Sequence, residues 1–277
     1  MQASEWQGRV GQKWAAEWRR TDRSFGGLTD HLVARATSRP VKCMLDIGCG
    51  AGELSIALAR ALPDAQIRGI DISDELVDVA RERAANLPNT HFEIADAGAW
   101  PGDGFTPDLL ISRHGVMFFP EPVQAFAHLS RIAAPNARLI FSCFRDMSQN
   151  DWASGITRFL PEGMVEEPAA MVPGPFAFAD RDAVSAMLTR AGWLDVAFEP
   201  VNYAYVAGEG DDPVEDALGY FLQIGPAARA AAQLQHAQRA AFIQQLREFL
   251  VQHRDGQMVA LDAAAWIVSA RTGDAPK

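Results

Sequence analysis

From residue 40 onward, short apolar runs alternate with stretches in which apolar positions recur every three to four residues. Strands give the first pattern and amphipathic helices the second. The runs predict strands over about 42–47, 66–72, 90–95, 107–112 and 137–144, and the periodic stretches predict helices over about 52–62, 73–86 and 121–134. Breakers separate them: Pro63-Asp64, Leu87-Pro88-Asn89 and Pro135-Asn136, with Gly98, Pro101, Gly102 and Gly104 marking a longer loop. Ser73 caps the second helix, with Asp74 and Glu75 in its first turn. Strands alternating with helices of about 10–15 residues predict an α/β fold built on a doubly wound, mostly parallel sheet.

The pattern changes at both ends. Residues 1–39 carry Trp6, Trp14, Trp18, Phe25, Leu28, Leu32 and Val33 at roughly helical spacing, and Gly26-Gly27 is expected to break the run. This segment reads as helices packed on the domain or as an N-terminal helical lid. Residues 145–176 hold Pro161, Pro168 and Pro173-Gly174-Pro175 and read as a cap insertion. Beyond them come a helix over 180–191 ending at Gly192, a strand-like stretch over 193–206, helices over 212–224 and 227–253 parted by Gly225-Pro226, and a strand over 264–271. The chain thus divides into a lid, 1–39, and a domain, 40–277, with cap insertions at about 145–176 and 208–255. Residues 272–277 are expected to fray.

Composition narrows the partners. Of 277 residues, 48% are hydrophobic, ample for a full core, and the formal net charge is −10. No basic stripe exists to neutralise phosphates, so nucleic acid is not an expected partner. No apolar run approaches membrane-spanning length, and Met1-Gln2-Ala3-Ser4-Glu5-Trp6 has no signal-like core. Cys43, Cys49 and Cys143 lack metal-ligand spacing and read as reduced thiols of a cytoplasmic protein, with no metal site expected. The long helix at 227–253 has two places to pack, its own domain or a second copy in a homodimer.

Ligands of open α/β sheets sit outside the carboxyl ends of the strands. The first strand runs into Asp46-Ile47-Gly48-Cys49-Gly50-Ala51-Gly52. The glycines alternate, and Glu53 stands where a third dinucleotide glycine would fall, which weakens a pyrophosphate site. Asp46 can order the turn or reach a ligand cation through water. Asp71, at the end of the second strand, can accept both hydroxyls of a ribose, or partner the helix cap at Ser73. Asp96 can accept from an adenine amine while the Ala97 N–H meets a ring nitrogen; its other reading is a solvated loop acid.

Together these segments resemble the class I S-adenosylmethionine-dependent methyltransferases. The resemblance rests on Leu45 to Gly52, Gly69-Ile70-Asp71-Ile72-Ser73, Ala95-Asp96-Ala97 and, for the small-molecule branch, Asp108 to Phe119; Ala125-Phe126, Arg131-Ile132, Pro135 and Ala137 to Phe141 continue it over about 40–145. It implies a seven-stranded Rossmann-like sheet whose last strand, with Trp266 to Arg271 as candidate, is antiparallel. It implies S-adenosylmethionine as cofactor, with Gly48 to Gly52 against its methionine part, Asp71 on the ribose and Asp96 and Ala97 on the adenine. The implied cofactor set is Asp46, Gly48, Cys49, Gly50, Gly52, Asp71, Ile72, Asp96, Ala97 and Arg113. Asn136 departs from the pattern, standing where glycine is commoner, and tolerates a left-handed turn.

The implied reaction is methyl transfer to a small acceptor, O- or N-directed by preference. The non-enzymatic alternative is a cofactor-binding accessory or regulatory subunit. His114 is the candidate general base, against a reading as a packed histidine; His31 is a second candidate. Arg113 can bind an acceptor carboxylate or order its loop. Aromatic residues of the lid and caps, Trp14, Trp18, Phe25, Trp152, Phe159, Phe176, Phe178, Tyr203, Tyr205, Tyr220 and Phe221, suit an apolar or aromatic acceptor, or ordinary core packing.

Overall fold

A computed structural model describes residues 3–161, 164 and 169–274. Residues 162–163 and 165–168 of the expected cap, Pro168 among them, and 275–277 of the tail lie outside the described residues. The element order is α1 (Ala3–Trp6), α2 (Arg9–Ala16), α3 (Trp18–Thr37), β1 (Cys43–Ile47), α4 (Glu53–Ala61), β2 (Gln66–Asp71), α5 (Asp74–Arg83), β3 (Thr90–Ile94) and β4 (Leu109–Arg113). There follow α6 (Pro122–Ile132), β5 (Arg138–Phe144), α7 (Asp151–Thr157), α8 (Arg181–Arg190), β6 (Leu194–Glu209), α9 (Pro213–Phe221), α10 (Gly225–Gln233), α11 (His236–Gln252), β7 (Arg254–Asp255) and β8 (Met258–Arg271).

One sheet runs in the order β3-β2-β1-β4-β5-β8-β6, with β7 paired on β8. Strands β1 to β5 are parallel, and β8 lies antiparallel between β5 and β6. The central strand β1 is the unbroken run Met44 to Ile47, all buried, as a parallel strand covered on both faces requires. The strand order reverses between β1 and β4, which is where an open α/β sheet forms its ligand crevice. Two-residue β7 adds an eighth strand to the expected seven. Strand β8 starts at Met258, ahead of the predicted 264, because Val259, Leu261 and Ala263 alternate inward as a strand demands.

Two expectations are corrected. Gly26-Gly27 lies inside α3, which continues to Thr37. Glycine in a helix interior costs about 0.5–1 kcal/mol, but Phe25, Leu28, Leu32 and Ala36 are buried on the same helix, each large side chain contributing roughly 1.5–3 kcal/mol. Gly27 faces β6, where a Cβ would stand in ordinary contact, 3.6 Å from the Tyr203 Cβ. The predicted helix at 227–253 is two helices. Leu234 and Gln235 are extended, and Gln235 forms a capping box with Gln238 that restarts the chain as α11. Helix α11 buries Phe242, Leu246, Phe249 and Leu250 against its own domain through α9 and α7. Asn136 adopts the left-handed turn expected of it, at φ 56°. No described helix is long and apolar enough to cross a membrane.

Candidate functional site

The site begins where β1 ends. Gly48, Gly50 and Gly52 all have positive φ, at +64°, +54° and +81°. Space is as restrictive as angle: a Cβ on Gly48 would lie 2.9 Å from the Gly115 Cα, so glycine lets the β1 and β4 turns touch. The N–H groups of Gly48 and Cys49 donate to the Ile70 carbonyl at 2.9 and 3.0 Å. The Gly50 N–H donates to Asp71 Oδ2 at 2.9 Å, and the Ser73 N–H donates to Asp71 Oδ1 at 3.0 Å. Asp71 therefore joins the glycine turn to the start of α5 with both oxygens, each of which keeps further acceptor capacity. Burial raises its pKa above the ordinary carboxyl value, and the amides of Ser73 and Gly50 pull the other way.

Asp46 is buried beneath the turn and accepts from Ser55 Oγ at 2.6 Å. Desolvation pushes its pKa from 3.8 to about 6, against the opposing Ser55 bond and Arg113 charge. A raised carboxyl means that the folded chain holds a proton which the unfolded chain releases first. Its contribution is fully present below 3.8 and lost as pH rises through about 6. Asp46→Asn is expected to gain stability relative to the parent between about pH 4 and pH 7, by roughly 2–3 kcal/mol. Urea unfolding of both proteins across that window checks it; a constant difference would contradict the buried, titrating Asp46.

A cavity of about 560 Å³ opens over this turn. Of the implied cofactor set, Asp46, Gly48, Cys49, Gly50, Asp71, Ile72, Asp96, Ala97 and Arg113 border it. Gly52 does not; a Cβ there would lie 2.9 Å from the Ala80 Cβ, so its work is to seat α4 against α5. Asp96 Oδ1 accepts from the Gly98 N–H at 2.8 Å, a local turn that fixes the carboxylate at the end of β3. The far wall is aromatic: Phe25, Phe144, Trp152, Tyr205 and Phe221 border the same cavity. Trp152 stacks on Tyr205, and Tyr205 on Phe221, with ring centroids 5.9 and 6.2 Å apart. Phe159, Phe176, Phe178, Tyr203 and Tyr220 do not border it, and His31 is exposed on α3 away from it.

His114 stands at φ +62°, in the turn after β4. Its ring stacks on Phe144 at 4.0 Å and meets Phe25 edge-on at 5.3 Å. Nδ1 lies 3.5 Å from Ser142 Oγ, while Nε2 is buried without a hydrogen-bond partner among the described residues. Desolvation first, then the Arg113 charge, lowers its pKa from 6.5 to about 3, so the ring is neutral at ordinary pH. Arg113 has little freedom left. It pairs with Glu53, donates to Thr29 Oγ1 at 2.8 Å, lies 3.8 Å from Asp22, and sits over the Phe25 ring.

Sequence reasoning missed Asp22 and Phe144. Phe144 closes β5 and is a strand-end residue like the others. Asp22 carries no motif. It pairs with Arg83 at 2.5 Å, and Arg83 donates to the Ala51 carbonyl at 2.6 Å, so α3 is tied to the glycine turn through Arg83 of α5. Helix α2 crosses above the cavity and seats Gly11 on Ser73, where a Cβ would fall 2.3 Å from the Ser73 Oγ. Among the described residues no cluster of three His, Cys, Asp or Glu side chains is arranged to hold a metal.

Residues 40–189, more than half the chain, match the family described as a methyltransferase domain. Trans-aconitate 2-methyltransferase of Variovorax paradoxus is 32% identical over 108 residues, 39% of this chain and 40% of that enzyme. The enzyme of the same name from Sinorhizobium medicae is 26% identical over 87% of this chain and 91% of its own length. Several curated relatives are thus matched over well under two thirds of their length. Phosphoethanolamine N-methyltransferase 2 of Haemonchus contortus, solved with S-adenosylhomocysteine and phosphomonomethylethanolamine, shares the fold at a TM-score of 0.55 and 14% identity, covering 95% of this chain and 57% of that one.

Proposed function

The chain belongs to the methyltransferase-domain family of S-adenosylmethionine-dependent enzymes, and from that premise we propose that it methylates a small acceptor with an apolar or aromatic body. The observation that carries the reading is the single cavity joining the Gly48–Gly50 turn and Asp71 to the wall of Phe144, Trp152 and Tyr205. One end offers a carboxylate and turn glycines suited to a nucleoside and its amino-acid arm; the other offers rings suited to a flat apolar group. When bound, S-adenosylmethionine supplies an electrophilic methyl group on a sulfonium. The chain's share is then alignment and exclusion of water. Asp71 takes the ribose hydroxyls, Asp96 and Ala97 take the adenine, and α1 and α2 serve as the lid. Reported acceptors of relatives include trans-aconitate and a malonyl group on acyl carrier protein, by their names; here O- or N-methylation is favoured.

His114 enters as a neutral hydrogen-bond acceptor rather than a strong base. Buried polar atoms are seldom left unpaired, and a hydroxyl or N–H of the acceptor supplies what Nε2 lacks. His114→Phe is expected to lower kcat/KM by about tenfold to a hundredfold while S-adenosylhomocysteine affinity stays within about twofold. Full activity in that variant would return His114 to the status of a packing residue. The reading as a whole is tested by calorimetric titration with S-adenosylhomocysteine and by incubation with labelled S-adenosylmethionine and a panel of phenols, amines and carboxylic acids. Tight binding without transfer to any of them would favour an accessory subunit.

A further inference from the structure

The cavity has a third kind of wall. Arg9, Lys13 and Arg229 all border it, the first two from α2 and the third from α10. The chain as a whole is acidic, at −10, and its inner cations are spoken for, Arg83 by Asp22 and Arg113 by Glu53. By contrast, Arg9, Lys13 and Arg229 form no ion pair with a described carboxylate. Lys13 Nζ donates to the Gln223 carbonyl at 3.5 Å, a contact that brings α2 up to the chain entering α10. Gly225, the first residue of α10, also borders the cavity, so backbone N–H groups at that helix start add to the positive field. Arg9 and Arg229 are exposed and Lys13 half-buried, so at the cavity's edge they can meet an entering anion without first giving up a described carboxylate partner.

The position of α10 selects which anion. It packs on α7, which carries Trp152, and on α9, which carries Phe221. Arg229 on α10, and Lys13 through its contact with Gln223, therefore stand towards the aromatic end of the cavity, while Arg9 lies a turn further back on α2, the helix that crosses the Gly48–Gly50 turn. Building on the proposed methyl transfer, we infer that the acceptor is an amphiphile: an aromatic or apolar body whose methyl-receiving hydroxyl or amine points inward and whose far end carries a carboxylate held by Lys13 and Arg229. The inward group is not itself the carboxylate, because the charge of Arg113, the cation next to His114, is already answered by Glu53 and Asp22. An ionised carboxylate there would meet Asp46 and no free cation.

The test uses the full chain loaded with S-adenosylhomocysteine. Matched pairs of aromatic phenols and amines, each as the carboxylate and as the neutral carboxamide (4-hydroxyphenylacetate with 4-hydroxyphenylacetamide, 4-aminobenzoate with 4-aminobenzamide), are titrated calorimetrically. The carboxylate of at least one pair is expected to bind about tenfold more tightly than its amide, with the advantage shrinking as salt is raised. Lys13→Gln with Arg229→Gln should erase that advantage and leave S-adenosylhomocysteine affinity unchanged. Equal binding of amide and carboxylate, or no binding by any pair, overturns the inference while the methyl-transfer reading stands. Weaker S-adenosylhomocysteine binding in the double variant overturns it too, by assigning the cations to the amino-acid end of the cofactor. Failure of the parent chain to bind S-adenosylhomocysteine defeats the methyl-transfer reading itself.

Discussion

Asp71→Ala is expected to weaken S-adenosylhomocysteine binding by about a hundredfold or more. A hydrogen bond to a charged group is worth about 1.5–3 kcal/mol, and two ribose hydroxyls at the low end give about 3 kcal/mol, close to two decades of affinity. The loss reaches past the ligand. The Gly50 and Ser73 N–H groups donate to the same carboxylate, so its removal frees the glycine turn from the start of α5. Asp71→Asn keeps one carbonyl oxygen and should fall between the parent and Ala. Calorimetric titration reads the affinities, and thermal unfolding of the same samples separates a loosened site from an unfolded chain. Affinity within about threefold of the parent in both variants would remove Asp71 from the proposed ribose site.

Arg113→Met is expected to cost stability rather than chemistry, by about 3 kcal/mol. The guanidinium is largely buried, with its side chain 13% exposed. It answers Glu53, stands near Asp22 and lowers the free energy of ionised Asp46. Taking away one partner of a buried pair leaves the other uncompensated, which is worse than never having had the pair. Urea unfolding should show the lowered midpoint with an unchanged slope. Glu53→Gln in the same background should restore part of the loss, because the stranded charge goes with it. A loss under about 0.5 kcal/mol would mean that the pair is effectively solvated.

Much of the sheet was legible because parallel strands are buried on both faces and announce themselves as apolar runs. Met44 to Ile47, Leu109 to Ser112 and Leu139 to Phe144 are such runs, and each starts within about two residues of where the pattern put it. The glycine turn and the acids at strand ends were legible for the same reason, since the sheet fixes where strand ends meet. What could not be read depends on contacts far apart in sequence. Gly26-Gly27 has the local signature of a break, yet Leu28 and Leu32 hold α3 straight through it. Arg113 looked available until Glu53, Asp22 and Thr29 surrounded it. Asp22 sits mid-helix with no neighbouring motif, and only the folded chain brings Arg83 to it. Lys13 and Arg229 lie on separate helices whose sequences give no hint that both face one cavity.

The order of the sheet also dictates an order of assembly. Strand β6 has no neighbour in the sheet except β8, and β8 must slot between β5 and β6 before the edge exists. Strands β1 to β4, with the Gly48–Gly50 turn and Asp71, can pair once the chain has been made as far as Arg113. Tyr205 rides on β6, opposite Leu261 of β8. Its place in the wall waits for Met258–Arg271, long after the first half has left the ribosome. Synthesis therefore makes the strands that carry the Gly48–Gly50 turn and Asp71 early, and the strand that sets Tyr205 in the cavity wall last.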